Sequence, residues 1–400
     1  MTDLVSPAGT GAGADRPRAA LRARGALRRA LPALLVYAGV RALGIAVLAV
    51  WGYGTGKSPH QLLSARWDSL WYSRIAEQGY GYTLHLPGGK VHSDLAFFPL
   101  LPWLERGLSA VFPLSAADAG LVVSGVSSLL AAWAVFLTGE RLYGRRAGVA
   151  LVALWAALPV GIVQSMAYSE SLFTALAAWS LYGVLTRRWV WAGSFAALAG
   201  LTRPVGAAVV LAVWLGVLVA LRRGGRQEQR EPWERRELPR MLLGAALAPL
   251  GWLAYFAWVG VRTGSPTGYL DVQGGWGNGF DGGLAFGAFV AQRLFGPAFL
   301  AGLGLLVGVG LVVWLYVACV RQRQPLPVLG YAGAVLLLAL TAKGYFGSKP
   351  RLMLPAFPLL LPLAVALARA RPARAVLTVS AMVLGSAVYG AFWLNGSGPP

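Results

Sequence analysis

The chain has 400 residues, of which 57% are hydrophobic and only 12% are charged, and its formal net charge is +20. This composition excludes an ordinary water-soluble domain and is typical of integral membrane proteins. The basic residues stand in short clusters between apolar runs rather than along one polar face. The charge therefore gives no indication of a nucleic-acid partner.

Apolar runs recur along almost the whole sequence, and many have the length of about 17 to 25 residues that crosses a bilayer as a helix. They predict an all-α, polytopic transmembrane protein with about eleven spans. The predicted spans lie near residues 31–51, 119–139, 147–163, 171–186, 189–202, 205–221, 241–261, 295–318, 328–342, 352–368 and 375–394.

The basic clusters predict how the spans are oriented. If the N-terminus is cytoplasmic, 23 of the 35 Lys and Arg residues lie inside, 11 lie outside and Arg41 lies within a span. This asymmetry is the positive-inside pattern. We therefore expect a multi-pass protein of the cell inner (plasma) membrane with a cytoplasmic N-terminus. The lone Cys319 excludes an intramolecular disulfide and is expected at the cytoplasmic end of a span.

The predicted organisation is one transmembrane domain over residues 31–394, between a flexible basic tail (1–30) and a short extracytoplasmic tail (395–400). Two extracytoplasmic loops, 52–118 and 262–292, are long, and long loops in compact proteins are often functional. In the first, Ser64 is expected to cap a surface helix over 65–78, whose apolar face would hold Trp67, Leu70, Trp71 and Ile75. The apolar stretch 95–112 is interpreted as a second surface-lying or re-entrant element.

Ionisable residues near membrane depth are costly, and in this chain they are predicted to reach a single surface, the extracytoplasmic one. Carboxylates there can act as general bases, and cations can bind a phosphate carried on a lipid. The residues concerned are Asp68, Asp94, Glu170, Arg203, Lys343, Lys349 and Arg351.

Each of these residues also has a purely structural interpretation. Asp68 and Glu170 would be favourable in the first turns of helices, and Arg203, Lys349 and Arg351 would suit the membrane interface as snorkelling side chains. Structural interpretations are stronger for Asp94 and for Arg41, which is expected to pack or snorkel. The three histidines lack the spacing of a zinc site, so no metal site is predicted.

Four sequence blocks carry a resemblance to a known family. The segments RWDSLWYSRIAEQGY (66–80) and AFFPLLP (96–102) resemble the signature of the PIG-V family, which includes the GPI mannosyltransferases, in order and spacing. The segment AYSESLF (167–173) resembles a third family block, and LTRPVG (201–206) is a looser match to a fourth. The resemblance covers the N-terminal half well and the C-terminal half poorly.

The resemblance implies a GT-C glycosyltransferase, a polytopic enzyme that takes a sugar, usually mannose, from a polyprenyl or dolichyl phosphate on the non-cytoplasmic side. It implies that Asp68 is the catalytic base and that Glu170 and Arg203 are site residues. Arg66, Trp67 and Tyr168 lie in the same blocks and are further candidates. Lys349 and Arg351 are assigned to the donor phosphate mainly from their charge and predicted side.

Departures from the family pattern concern the acceptor. Residues His92 to Leu95 replace the family's Asn-Phe lead into the Phe-Phe-Pro block, and Pro204-Val205 follow Arg203 where Ser-Asn is usual. The Arg-, Ala- and Gly-rich composition is typical of bacteria, where no GPI anchor is expected. A cell-envelope glycolipid, a lipoglycan or a protein is the expected acceptor.

The function predicted from the sequence is inverting transfer of a hexose, most simply mannose, from a polyprenyl-phosphate donor to an extracytoplasmic acceptor. Because cations can stabilise the leaving phosphate, no cofactor is required, although an acidic pair including Asp94 would leave room for a divalent metal. The alternative is a transporter of lipid carriers or polysaccharides, which would place charges at the bilayer midplane. Arg41 alone fits that alternative clearly.

Overall fold

The computed structural model describes residues 15–224 and 232–398, with side chains from residue 25 to 223 and from 237 to 398. These parts contain eighteen α-helices: α1 (Asp15–Gly54), α2 (Pro59–Ser64), α3 (Asp68–Gln78), α4 (Leu100–Val111), α5 (Ala116–Tyr143), α6 (Arg145–Ala156), α7 (Ser169–Leu185), α8 (Trp189–Gly200), α9 (Gly206–Gly224), α10 (Pro232–Leu247), α11 (Leu250–Thr263), α12 (Gly268–Gly275), α13 (Leu284–Leu294), α14 (Phe299–Arg321), α15 (Leu326–Thr341), α16 (Lys349–Leu352), α17 (Leu361–Arg369) and α18 (Pro372–Asn395).

The described strands form two short antiparallel pairs. Strands β1 (Thr83–Leu86) and β2 (Lys90–Ser93) form a hairpin in the first long loop, with Thr83 opposite Ser93. Strands β3 (Gly279–Phe280) and β4 (Ala342–Lys343) join the second long loop to the segment before α16. The prediction of an all-α fold is confirmed, and this minor sheet content was not predicted.

The apolar helices make the chain a multi-pass membrane protein. By length and apolar composition six described segments can cross a bilayer, and the bent pair 346–352 with 357–369 is a candidate seventh. All eleven predicted spans coincide with helical segments, but α6, α7, α8 and α15 have only 12 to 17 residues each. The count of eleven therefore stays a prediction. Helix α1 begins at Asp15, so part of the predicted tail is helical, while residues 1–14 lie outside the described chain.

The core of the bundle surrounds α7, which packs against α5, α8 and α9. Most residues of α7 are buried, as expected for a helix that is apolar on every side. Glycines let neighbouring helices approach closely: a Cβ atom built on Gly139 of α5 would lie 2.8 Å from the Cα atom of Gly148 in α6. Such small-residue contacts are the usual basis of helix packing in membranes, where the lipid removes the hydrophobic driving force.

The first long loop differs in detail from its predicted form. Ser64 ends α2 and its hydroxyl donates to the carbonyl of His60, so the prediction that it caps the next helix is wrong. Helix α3 begins at Asp68 after Trp67, whose φ is +51°. The buried face of α3 is formed by Ser69, Tyr72, Ile75 and Ala76, whereas Leu70, placed on that face by the sequence pattern, is exposed. The pattern correctly predicted the helix and the burial of Ile75, but it placed Leu70 inward and missed Tyr72.

The first long loop packs against the second and against Tyr255 of α11. The indole N–H of Trp276 donates to the carbonyl of Ser93 at 2.9 Å, and the hydroxyl of Tyr255 donates to the carbonyl of Phe97 at 2.7 Å. The ring of Trp276 also stacks on His92 with centroids 4.0 Å apart. Helices α3, α4 and α12 are thereby fixed over the end of the bundle where α7 begins.

Two polar residues have structural roles inside the bundle. Arg41 donates to the backbone carbonyls of Ala156 and Gly161 at the C-terminal end of α6, and it has no carboxylate partner among the described residues. Cys319 is fully buried, and its thiol contacts the carbonyl of Pro358 at 3.5 Å. Arg41 therefore has a structural role as a hydrogen-bond donor to backbone carbonyls where α6 ends. This role removes the clearest support for the transporter alternative.

Candidate active site

Two carboxylates and two guanidinium groups meet where α3, α7, the segment before α9 and α16 converge. Arg351 Nη1 lies 2.9 Å from Asp68 Oδ2, and Arg351 Nε lies 3.2 Å from Glu170 Oε1. Arg203 forms a further ion pair with Glu170. We call Asp68, Glu170, Arg203 and Arg351 the ion-pair cluster. Its members were all predicted as site residues, although they are spread over nearly 300 positions of the chain.

The cluster is buried to different depths. The side chain of Glu170 is 1% exposed, those of Arg351 and Arg203 are 10% and 13% exposed, and that of Asp68 is 27% exposed. Two cations compensate two anions, which is the condition under which charges persist in a low-dielectric environment. Asp68 is thus the more exposed of the two carboxylates in the cluster.

Tyr168 supports the cluster from the N-terminal end of α7. Its fully buried ring lies 5.0 Å from the guanidinium carbon of Arg351, within cation–π range. Its hydroxyl accepts the backbone N–H of Asp68 at 3.4 Å and donates to the carbonyl of Arg66 at 3.5 Å. Tyr168 therefore fixes the positions of both Asp68 and Arg351.

The segment before Asp68 is held by Arg66 and Trp67. The guanidinium of Arg66 lies over the Trp67 ring at 3.9 Å, and it donates to the carbonyls of Leu394 and Gly396 at the end of α18. Trp67 has a positive φ, which is rare for a bulky residue and is found where surrounding contacts enforce it. These contacts place Asp68 at the first position of α3.

Two residues of this site were not singled out from the sequence. Ser169 accepts from Arg203 Nη1 at 3.3 Å, and its hydroxyl lies 2.9 Å from that of Tyr72. Tyr72 follows Asp68 by one helical turn, and Ser169 directly precedes Glu170. Helical spacing from Asp68 is the signal that could have pointed to Tyr72.

Two predicted candidates lie outside the cluster's contacts. Asp94 is fully buried, and its Oδ2 accepts the backbone N–H groups of Gly81 and Tyr82 at 2.9 and 2.8 Å. The ammonium of Lys349 donates to the carbonyls of Ala339 and Ala342 at 2.6 and 2.8 Å. In this structure Asp94 holds the hairpin, and Lys349 is occupied by backbone. Their predicted roles toward a substrate stay predictions.

The residues that the structure describes contain no group of three or more His, Cys, Asp or Glu side chains placed to hold a metal ion. The cluster itself offers only Asp68 and Glu170 as ligands, each paired with an arginine. A metal at this point would have to replace guanidinium contacts.

Comparisons with known proteins agree with this fold. Residues 94–236, less than half of the chain, match a family model described as dolichyl-phosphate-mannose-protein mannosyltransferase. The matched region contains Tyr168, Glu170 and Arg203, and it begins after Asp68. No curated protein sequence matches the chain.

Two solved structures show the same architecture. The first is ArnT from Cupriavidus metallidurans bound to undecaprenyl phosphate, at a TM-score of 0.52 and 15% identity, covering 85% of this chain and 61% of that chain. The second is the Archaeoglobus fulgidus oligosaccharyltransferase in the apo form, at a TM-score of 0.50 and 15% identity, covering 92% of this chain and 56% of that chain. This chain thus corresponds to about three fifths of each neighbour.

These matches give the chain a GT-C-like fold. Together with the family model they support the GT-C superfamily of membrane glycosyltransferases, and they do not single out the PIG-V family within it.

Proposed function

We propose that the chain is a membrane glycosyltransferase that moves a hexose, most simply mannose, from a polyprenyl-phosphate donor to an acceptor hydroxyl outside the cytoplasm. The observation that carries the proposal is the ion-pair cluster, in which one accessible carboxylate stands beside two guanidinium groups. A base and a phosphate binder are the two groups that this reaction needs. The match to a mannosyltransferase family model and the undecaprenyl phosphate bound by ArnT support the same donor class.

Asp68 is the proposed general base. Its carboxylate removes the proton from the acceptor hydroxyl as that oxygen attacks the anomeric carbon, and the bond from this carbon to the phosphate oxygen breaks. The sugar is transferred with inversion, and polyprenyl phosphate leaves. Glu170 is buried between two arginines and Asp94 is fully buried against backbone N–H groups, so neither is as accessible as Asp68 to an acceptor.

Arg351 and Arg203 are the proposed phosphate-binding residues. Arg351 Nη1 and Nε lie within ion-pair distance of the carboxylates of Asp68 and Glu170, so a phosphate would bind them in exchange for these partners. Guanidinium binds phosphate oxygens bidentately. Lys349, two residues before Arg351, would assist only after exchanging its carbonyl partners.

Donor binding is proposed to free Asp68 for the acceptor. In the structure Arg351 Nη1 lies 2.9 Å from Asp68 Oδ2, so this carboxylate oxygen is occupied. A donor phosphate that draws Arg351 away would leave that oxygen open to the acceptor hydroxyl.

The function is tested by comparing a deletion strain with its parent. The lipid-linked and protein-linked glycans of the deletion strain should lack one hexose, and the wild-type gene, but not an Asp68→Asn variant, should restore it. Purified protein should transfer labelled hexose from polyprenyl-phosphate mannose to membranes of the deletion strain. Identical glycans in both strains, together with no transfer from polyprenyl-phosphate mannose or glucose, would contradict the proposal.

The acceptor class is read from the same glycans. An altered glycolipid or lipoglycan would place the enzyme in envelope synthesis, and altered secreted proteins would identify a protein acceptor. The resemblance to the PIG-V family favours mannose, and use of glucose in place of mannose would remove that assignment while leaving the transfer reaction intact.

A further inference from the structure

A second group of arginines lines a cavity of about 590 Å³ at the far ends of α5, α7 and α9 and at the connection between α14 and α15. We call it the arginine cavity, after Arg141, Arg187, Arg223 and Arg323. None of the described residues that line it is acidic. A cavity of this size falls within the range of small-molecule sites.

The arginine cavity lies at the opposite end of the bundle from the ion-pair cluster. Glu170 is in the first turn of α7 and Arg203 precedes α9, whereas Val184 and Arg223 stand in the last turns of these helices. Seventeen residues of α7 separate the two ends by about 25 Å, at about 1.5 Å per residue. The charge distribution predicts this end to be cytoplasmic.

Two buried polar groups of the cavity lining lack partners. Trp189 is 3% exposed and Gln324 is 5% exposed. Among the described residues neither the indole N–H of Trp189 nor the side-chain oxygen of Gln324 has a hydrogen-bond partner. Buried donors are rarely left unpaired in native proteins, so we expect the indole N–H to bind an acceptor.

Two of the arginines also have unusual backbone conformations. The φ angles of Arg187 and Arg323 are +57° and +52°, and Trp67 beside Asp68 is the third described non-glycine residue with positive φ. Such conformations are uncommon for residues with long side chains and are concentrated at functional sites.

The positive-inside rule explains why arginines lie at this end, but it does not require four of them to line one cavity. Arg187 Nη1 lies 4.0 Å from Glu237 Oε2, and both side chains are partly exposed. Even with this pair counted, the described residues place three more arginines than carboxylates at the cavity, beside the indole N–H of Trp189.

We propose that the arginine cavity is a binding site for a phosphate-bearing ligand, either the headgroup of an anionic phospholipid or a soluble phosphate compound. Guanidinium groups bind phosphate oxygens bidentately, and basic pockets between transmembrane helices on the cytoplasmic side are suited to lipid headgroups. The indole N–H of Trp189 would supply one further donor to an oxygen. This site is independent of sugar transfer.

The test uses the full chain, purified in a neutral detergent. Native mass spectrometry measures binding of phosphatidylglycerol, with phosphatidylcholine as the uncharged reference, and calorimetry measures binding of inorganic pyrophosphate. The variant is Arg223→Gln/Arg323→Asn, in which Asn tolerates the positive φ at position 323. The control, Arg369→Gln/Arg374→Gln, removes the same charge from exposed positions outside the cavity.

We expect the cavity variant to lose at least about tenfold in affinity for the anionic ligand, and the control to change by less than about threefold. Preference for phosphatidylglycerol over phosphatidylcholine identifies a lipid, and binding of pyrophosphate alone identifies a soluble ligand. Equal losses in both variants, or no selective binding of either ligand by the wild type, would overturn the proposal. Size-exclusion profiles establish that both variants are folded.

Discussion

The ion-pair cluster and the arginine cavity both gather arginines, but only the cluster matches each cation with a carboxylate. In the cluster Glu170 and Arg351 are almost fully buried, where an uncompensated charge is very costly. In the arginine cavity no described lining residue is acidic, and Arg223 and Arg323 are exposed. A phosphate entering the cluster must therefore compete with a carboxylate, whereas the charged residues described in the lining of the cavity are all arginines.

This difference suits the two proposed roles. A transferase must release polyprenyl phosphate after every turnover, and binding that is equally strong before and during the reaction does not accelerate it. Because the carboxylates can pair again with Arg351 and Arg203, they would limit the affinity of the site for the leaving phosphate. A structural or regulatory ligand has no such requirement, so a site without carboxylates can hold it tightly.

The two sites are predicted to face opposite sides of the membrane. Cys319 cannot report this because it is buried, so labels should be attached to new cysteines in a Cys319→Ser background. We expect Lys90→Cys, in the hairpin over the cluster, to react nearly completely with an impermeant thiol reagent on intact cells. Gln322→Cys, beside the arginine cavity, should react only after permeabilisation. Both positions are exposed, so inverted labelling would reverse the predicted topology.

The second prediction separates the accessible carboxylate from a fully buried one. Asp68→Asn should lower turnover by about 100-fold or more while the protein stays folded, because the amide cannot accept the acceptor's proton. Asp94→Asn should instead lower stability by about 1 to 3 kcal/mol, since its carboxylate accepts two backbone N–H groups, and keep turnover per folded molecule. Purified variants matched for folded protein are compared at saturating donor. If Asp94→Asn lost turnover and Asp68→Asn did not, Asp94 would be the general base and Asp68 the structural carboxylate.

The third prediction tests whether Glu170 neutralises the cluster or reacts. Glu170→Gln should destabilise the protein by about 3 to 5 kcal/mol, because Arg203 loses its buried partner. The double variant Glu170→Gln/Arg203→Gln should regain much of this stability, since the unpaired cation is removed with its partner. Its KM for the donor should nevertheless stay about tenfold above that of the wild type, because a phosphate ligand is missing. Thermal unfolding and donor titrations measure the two effects, and a normal KM in the double variant would exclude Arg203 from donor binding.

Sequence reasoning anticipated the ion-pair cluster because buried charges in an apolar chain are few and costly. Asp68, Glu170, Arg203 and Arg351 were all predicted to reach one surface, and the structure brings them into contact. The sequence did not separate Lys349 from Arg351, since both are cations close together in the chain. Which of them meets a carboxylate depends on how α16 turns and on the carbonyls left free after α15.

The first long loop shows what periodicity leaves undetermined. An apolar face was assigned to α3 from the spacing of its large side chains. The helix buries Ile75 of that face together with Tyr72 and two small residues, while Leu70 remains exposed. Over a membrane surface both faces of a helix can be apolar, so spacing alone does not select the inward one. The hairpin of β1 and β2 depends on contacts with Trp276 and on Asp94, which are distant in sequence or lie outside the strands. The arginine cavity likewise depends on how the helix ends meet.

Glu105 is a buried carboxyl that no cation in the described chain compensates, in contrast to the carboxylates of the ion-pair cluster. It is 1% exposed on α4, and a Cβ atom built on Gly120 of α5 would lie 2.6 Å from its Oε1, so α5 covers it closely. Burial, with a smaller contribution from Glu77, raises the pKa of Glu105 from 4.5 to about 9. The folded protein therefore retains a proton that the unfolded chain releases above about pH 4.5. The stability tied to this group is complete below that pH and is lost as the pH rises through about 9, by at most about 1.4 kcal/mol per pH unit.

Glu105→Gln replaces the protonated carboxyl with a neutral amide of similar shape, so we expect unfolding temperatures close to wild type at pH 5 and an increasing advantage for the variant toward pH 9. Parallel pH curves for the two proteins would mean that Glu105 is ionised in the folded state and has a cationic partner after all.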